Sequence, residues 1–79
     1  MELVIEELSY GAYIKLARLH EDFISEVHWR KELDTVTVVM NLDSSWVIRR
    51  FSWGYEIINN NTFKVFKLRD NQFTRMIIQ

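Results

Sequence analysis

The chain has 79 residues, 48% of them hydrophobic and 27% charged, so it has room for one domain and the composition of a folded rather than a disordered one. A chain this short buries only about 60% of its unfolded surface. With no cysteine, it excludes disulfides and thiolate metal sites, leaving tight packing or self-association as sources of stability. The net charge of −1 hides an asymmetry: residues 1–43 carry nine Asp/Glu against four Lys/Arg, and residues 44–79 two against six. Seven aromatic residues, Trp46, Phe51, Trp53, Tyr55, Phe63, Phe66 and Phe73, fall in the basic part. Cation and π-surface together are the materials of a contact face. The N-terminus, with acids at Glu6 and Glu7, lacks the basic segment and apolar core of a signal peptide. The longest uncharged stretch, Thr35 to Leu42, is far short of the roughly 20 residues of a membrane-spanning helix. A cytoplasmic protein without a membrane anchor is expected.

Residues 2–8 mix β-branched residues with partial alternation, which fits a short strand or a lead into a helix. Ser9 can cap a helix, with Leu8 and Tyr13 spaced as a hydrophobic staple. On a helical wheel Ala12, Tyr13, Leu16, Ala17, Leu19, Phe23, Ile24 and Val27 share one arc of about 160°, opposite Lys15, Arg18, Asp22, Ser25 and Glu26. The pattern predicts an amphipathic helix over roughly 10–28. Ile14 and Trp29 break it, and the competing reading is a hairpin in which Val27 and Trp29 point inward and residues 31–34 turn into the next strand.

From residue 35 the pattern becomes that of strands: 35–40, 46–51, 55–58, 62–68 and 73–78. With two glycines and no proline, turns are expected at Asp43-Ser44-Ser45, Asn59-Asn60-Asn61 and Asp70-Asn71, whose side chains tolerate a left-handed backbone, and a bulge or sharp bend at Gly54. The expected fold is α+β: one amphipathic helix on a curved, mostly antiparallel sheet of about four to six strands. Val47, Phe51 and Trp53 oppose Trp46 and Ile48; Phe63 and Val65 oppose Phe66 and Leu68; Phe73 and Ile77 oppose Met76 and Ile78. Both sheet faces are therefore apolar. One helix covers one face, so the other must close into a barrel or meet a twin or a partner.

Arg49, Arg50, Lys64, Lys67, Arg69 and Arg75 interleave with rings as in single-strand binders, although ordinary solvated strand edges look the same. Phe63-Lys64-Val65-Phe66 resembles the aromatic spacing of an RNA-recognition motif without its glycine and basic flank. His20 lies within the apolar arc, more than about 90° from Glu21, Asp22 and Glu26, so a packed core histidine is expected rather than a metal ligand. His20-Glu21 also lacks the second histidine of a zinc protease. Neither a nucleophile elbow nor a glycine-rich phosphate loop is present, although metal-free RNA cleavage by Arg, Lys and His leaves little signature. The acids Glu21, Asp22 and Glu26 read as a solvated helix face, with Glu26 and Arg30 paired one turn apart, or as an electrostatic guide for a basic partner.

The sequence thus predicts a non-enzymatic interaction or regulatory module without cofactor or metal. Its contact residues are expected to be Trp46, Arg49, Phe51, Trp53, Lys64, Phe66, Lys67 and Arg75. The expected partner is a protein or a second copy in a homodimer, with nucleic acid as the alternative.

Overall fold

A computed structural model describes all residues, 1–79. Strand β1 (Glu2–Ser9) runs directly into helix α1 (Tyr10–His20), and β2 (Ile24–Arg30), β3 (Thr35–Asn41), β4 (Trp46–Phe51), β5 (Gly54–Asn59), β6 (Lys64–Arg69) and β7 (Arg75–Ile78) follow. The seven strands form two antiparallel sheets, β2-β3-β1-β7 and β4-β5-β6. The expected α+β fold with one helix holds, with the strands divided between two sheets.

The helix begins where the sequence places it. Ser9 accepts a hydrogen bond from the Ala12 amide at 3.3 Å, satisfying one of the first-turn donors. Its end corrects the expectation of a helix to residue 28: α1 stops at His20, a 3₁₀ turn spans Glu21–Phe23, and residues 24–30 are a strand. The wheel misled because a residue set periodic at 3.6 over 12–20 happened to extend to Phe23, Ile24 and Val27. The β-branched and aromatic residues Ile24, Val27 and Trp29 take the extended form once β3 offers its hydrogen bonds. The hairpin reading is the one observed beyond His20, with its turn in residues 31–34 ending on a left-handed Asp34 (φ 52°). The expected Glu26 to Arg30 helical pair is absent. Glu26 instead meets His28 at 3.5 Å, and Arg30 meets Glu32 at 3.0 Å and Glu7 at 3.9 Å.

In β1, Leu3, Ile5 and Leu8 are buried although the period of two would place residue 7 inward. A register shift between Ile5 and Leu8, with Glu7 at φ 52°, inserts the extra residue that turns both acids out and Leu8 in. Helix α1 packs on β1, β3 and β6, so one helix serves both sheets. A single core joins Leu3, Ile5, Leu8, Val36, Val38 and Met40 of the large sheet to Trp46, Ile57, Phe66 and Leu68 of the small one through Ala12 and Leu16. The inner faces of β1, β3 and the small sheet thereby meet in this core without closing into a barrel.

Turns fall at the expected residues. Ser45 donates from its amide to Asp43 Oδ1 at 2.9 Å, and its hydroxyl donates to the same oxygen. The Asn59 side chain accepts from the amides of Asn61 and Thr62 at 2.8 and 3.3 Å. Gly54 has φ 149°, and a Cβ there would overlap the Leu68 carbonyl oxygen and lie 2.9 Å from Arg69 Cα. Only glycine lets β5 and β6 approach this closely. No helix is long and apolar enough to cross a membrane.

Candidate interaction surface

The register of the small sheet sorts its side chains row by row. Across β4-β5-β6 the triplets Trp46/Asn59/Lys64, Ile48/Ile57/Phe66 and Arg50/Tyr55/Leu68 share the face turned to α1. The intervening triplets Val47/Ile58/Val65, Arg49/Glu56/Lys67 and Phe51/Gly54/Arg69 share the opposite face. No element covers that outer face. It carries an aliphatic row at one end, a charged row in the middle, and at the other end the stacked rings of Phe51 and Trp53, 5.2 Å apart and 5° from parallel. The guanidinium of Arg69 lies 5.4 Å from the Trp53 ring centre, where the ring quadrupole attracts a cation. Val47 and Val65 are exposed, and Phe63, in the turn beside Val65, is 83% exposed with a left-handed backbone (φ 60°).

Of the eight residues expected to make contacts, four lie on this face: Arg49, Phe51, Trp53 and Lys67. Trp46 and Phe66 do not. They are 6% and 3% exposed and belong to the core, with Trp46 edge-on to His20 at 4.6 Å and to Phe23 at 4.9 Å. Because both faces of β4 and β6 are apolar in sequence, the pleat separates the two sets of rings without saying which set faces the helix. Lys64 points to the helix side. Arg75 is on the large sheet, bound to Glu6 at 2.6 Å. The sequence reading left out Val47, Ile58 and Val65, whose signal was their two-residue spacing from Arg49, Glu56 and Lys67.

The basic residues of the C-terminal part do not form one track. Arg50 is fixed to Asp70 by two hydrogen bonds of 2.7 and 3.2 Å, which raise its pKa. Glu6 raises that of Arg75 by the same means. Glu56 sits between Arg49 and Lys67 in register.

A polar depression of about 210 Å³ lies at the C-terminal end of α1 and is lined by Arg18, His20, Glu21, Asp22, Asn59 and Lys64 among others. His20 is 2% exposed, as its place in the apolar arc predicts. Burial and, secondarily, the charge of Lys64 lower its pKa, against a smaller opposing effect of the Ile57 carbonyl. Its Nε2 has no partner and is shut off from solvent, so that nitrogen is not presented to the depression as a base. Two cations and two carboxylates on the rim leave no net field to draw an anion. No three His, Cys, Asp or Glu side chains converge as metal ligands.

Comparison with protein-family models, with curated proteins and with solved structures gives no match.

Proposed function

We propose that this chain is a cytoplasmic, non-enzymatic interaction module that binds a protein through the outer face of β4-β5-β6. The observation that carries the reading is the arrangement of that face. Two apolar groups, Val47/Ile58/Val65 and Phe51/Trp53, flank a charged row, and the face has no cover. A ring pair already stacked loses little side-chain entropy when a partner settles on it, which is the character of an interface anchor. The charges of Arg49, Glu56 and Lys67 leave this row one positive charge, and Arg69 adds another. The fitting partner is an apolar protein surface with an acidic rim. A phosphate backbone would instead require a run of unpaired cations, and here Glu56 interrupts it while Lys64, Arg50 and Arg75 lie elsewhere.

A photo-crosslinking residue at position 65 tests the reading in cells. A protein captured there is expected to lose at least about 2 kcal/mol of affinity on Trp53→Ala and less than about 1 on Arg49→Ala with Lys67→Ala, and to stay bound in salt. Tryptophan quenching by a single-stranded oligonucleotide below about 10 μM, abolished by salt, would assign the face to nucleic acid instead.

A further inference from the structure

The two sheets expose four edge strands: β2, β7, β4 and β6. An edge presents unpaired backbone donors and acceptors, and charged side chains decide whether another strand can add there. On β4 the charges are Arg49 and Arg50, on β6 Lys64, Lys67 and Arg69, and on the short β7 Arg75. Each is of one sign, so a copy laid alongside meets like charge. Strand β2 alone carries both signs, Glu26 and Arg30, with His28 midway.

The strand is irregular between Ile24 and Glu26 and regular from Glu26 to Arg30, so His28 is the midpoint of its regular part. Antiparallel pairing about that midpoint sets Glu26 opposite Arg30 of the second copy twice over on one face. On the other it sets Val27 opposite Trp29 of the second copy, again twice. Opposite charges and aromatic with β-branched residues are the cross-strand pairs that stabilise a ladder. Val27 and Trp29 pair with the buried Val38 and Val36, so they lie on the core side of the sheet, yet they are 44% and 47% exposed. Tyr10 stands edge-on to Trp29 at 4.9 Å and is exposed beside it. The intrachain partners of Glu26 and Arg30 are exposed, His28 and Glu32 by more than half and Glu7 by about a third, and cost little to give up.

We propose that the β2 edge is the homodimer interface of this protein: β2 of a second copy adds antiparallel about a two-fold axis at His28, merging the two four-stranded sheets. The interface is separate from the outer face of β4-β5-β6 and leaves that face free.

Light scattering on a size-exclusion column from about 10 to 500 μM is expected to show monomer passing to dimer, since a single short ladder is a small interface. Glu26→Arg alone and Arg30→Glu alone each place like charges opposite and are expected to weaken the dimer by about tenfold or more, while the double variant recovers to within about threefold. Unchanged thermal unfolding of the variants shows that the fold is kept. Directly opposed Cα atoms in an antiparallel pair lie about 4.5–5.5 Å apart, within disulfide reach. In this cysteine-free chain His28→Cys is therefore expected to oxidise to a covalent dimer much faster than Val65→Cys on the β6 edge. Monomer at every concentration, single charge reversals without effect, a double variant as weak as the singles, or equal oxidation at both positions overturns the proposal. So does a dimer dissolved by Trp53→Ala, which would move self-association to the outer face.

Discussion

The two sheets treat their outward charges differently. On β2-β3-β1-β7 the bulge in β1 turns Glu6 and Glu7 outward, where Glu6 accepts from Arg75 at 2.6 Å and Glu7 accepts from the Thr74 hydroxyl at 2.6 Å. Its outward apolar residues, Val4, Val39 and Ile77, sit on one row, with Val39 buried. On β4-β5-β6 neither Arg49 nor Lys67 has an ion pair, and the outward valines lie on the edge strands, exposed. The first is a surface closed on itself and the second an open one. Local sequence composition barely distinguishes them; what differs is whether residues far apart in the chain, such as Glu6 and Arg75, are brought together.

The strongest test of the open face is a contrast between two tryptophans. Trp46→Ala removes a core ring that holds His20 and Phe23 and is expected to destabilise the fold by about 3–5 kcal/mol in urea unfolding. Trp53→Ala is expected to cost less than about 1, because its ring stacks on the surface. Similar losses would mean that the outer face is part of the core.

The two glycines give the next contrast. Gly54→Ala drives a methyl into the β6 backbone at a φ that other residues rarely adopt, and is expected to cost at least about 2 kcal/mol. Gly11, in the first turns of α1, has open space around it, so Gly11→Ala is expected to stabilise by about 0.5–1 kcal/mol. Unfolding midpoints moving in opposite directions check both.

Much of this was legible in the sequence. Strands β3 to β6 follow from β-branched and aromatic runs bounded by Asn, Asp and Ser, and the helix start follows from Ser9. The helix end was not legible, since Phe23, Ile24 and Val27 satisfy a wheel as well as a strand and only the pairing with β3 decides. The face of the small sheet was half legible. Alternation separates Trp46 and Ile48 from Val47, but which set turns inward depends on where α1 lies, and that is a long-range contact. The β1 bulge left no signal beyond the adjacent acids Glu6 and Glu7.

His20 links the closed core to its rim. Its folded pKa lies below the ordinary value of 6.5, so the unfolded chain takes up the proton first as pH falls. Stability is whole above about pH 6.5, declines as pH drops from there to the folded pKa, and is flat with respect to this group below it. Unfolding by urea between pH 5 and 8 is expected to show that decline. Lys64→Gln removes one of its causes and is expected to raise the His20 value in an NMR titration, though not fully, since burial is the larger cause. No movement would place Lys64 too far away to matter.

The smallest expected effect concerns the ion pairs that separate the two outer faces. Glu6 and Arg75 are joined by a short hydrogen bond between β1 and β7, so Arg75→Gln is expected to lower the unfolding midpoint slightly at low salt. The deficit should vanish near 1 M salt, where charges are screened beyond about 3 Å. Arg49→Gln removes a cation with no partner and is expected to leave the midpoint unchanged at either salt concentration, its loss registering only in partner binding. If Arg49→Gln instead destabilised the protein as much as Arg75→Gln, and with the same salt dependence, Arg49 would be engaged with Glu56 in solution. The row across β4-β5-β6 would then be a closed surface like the one on the larger sheet.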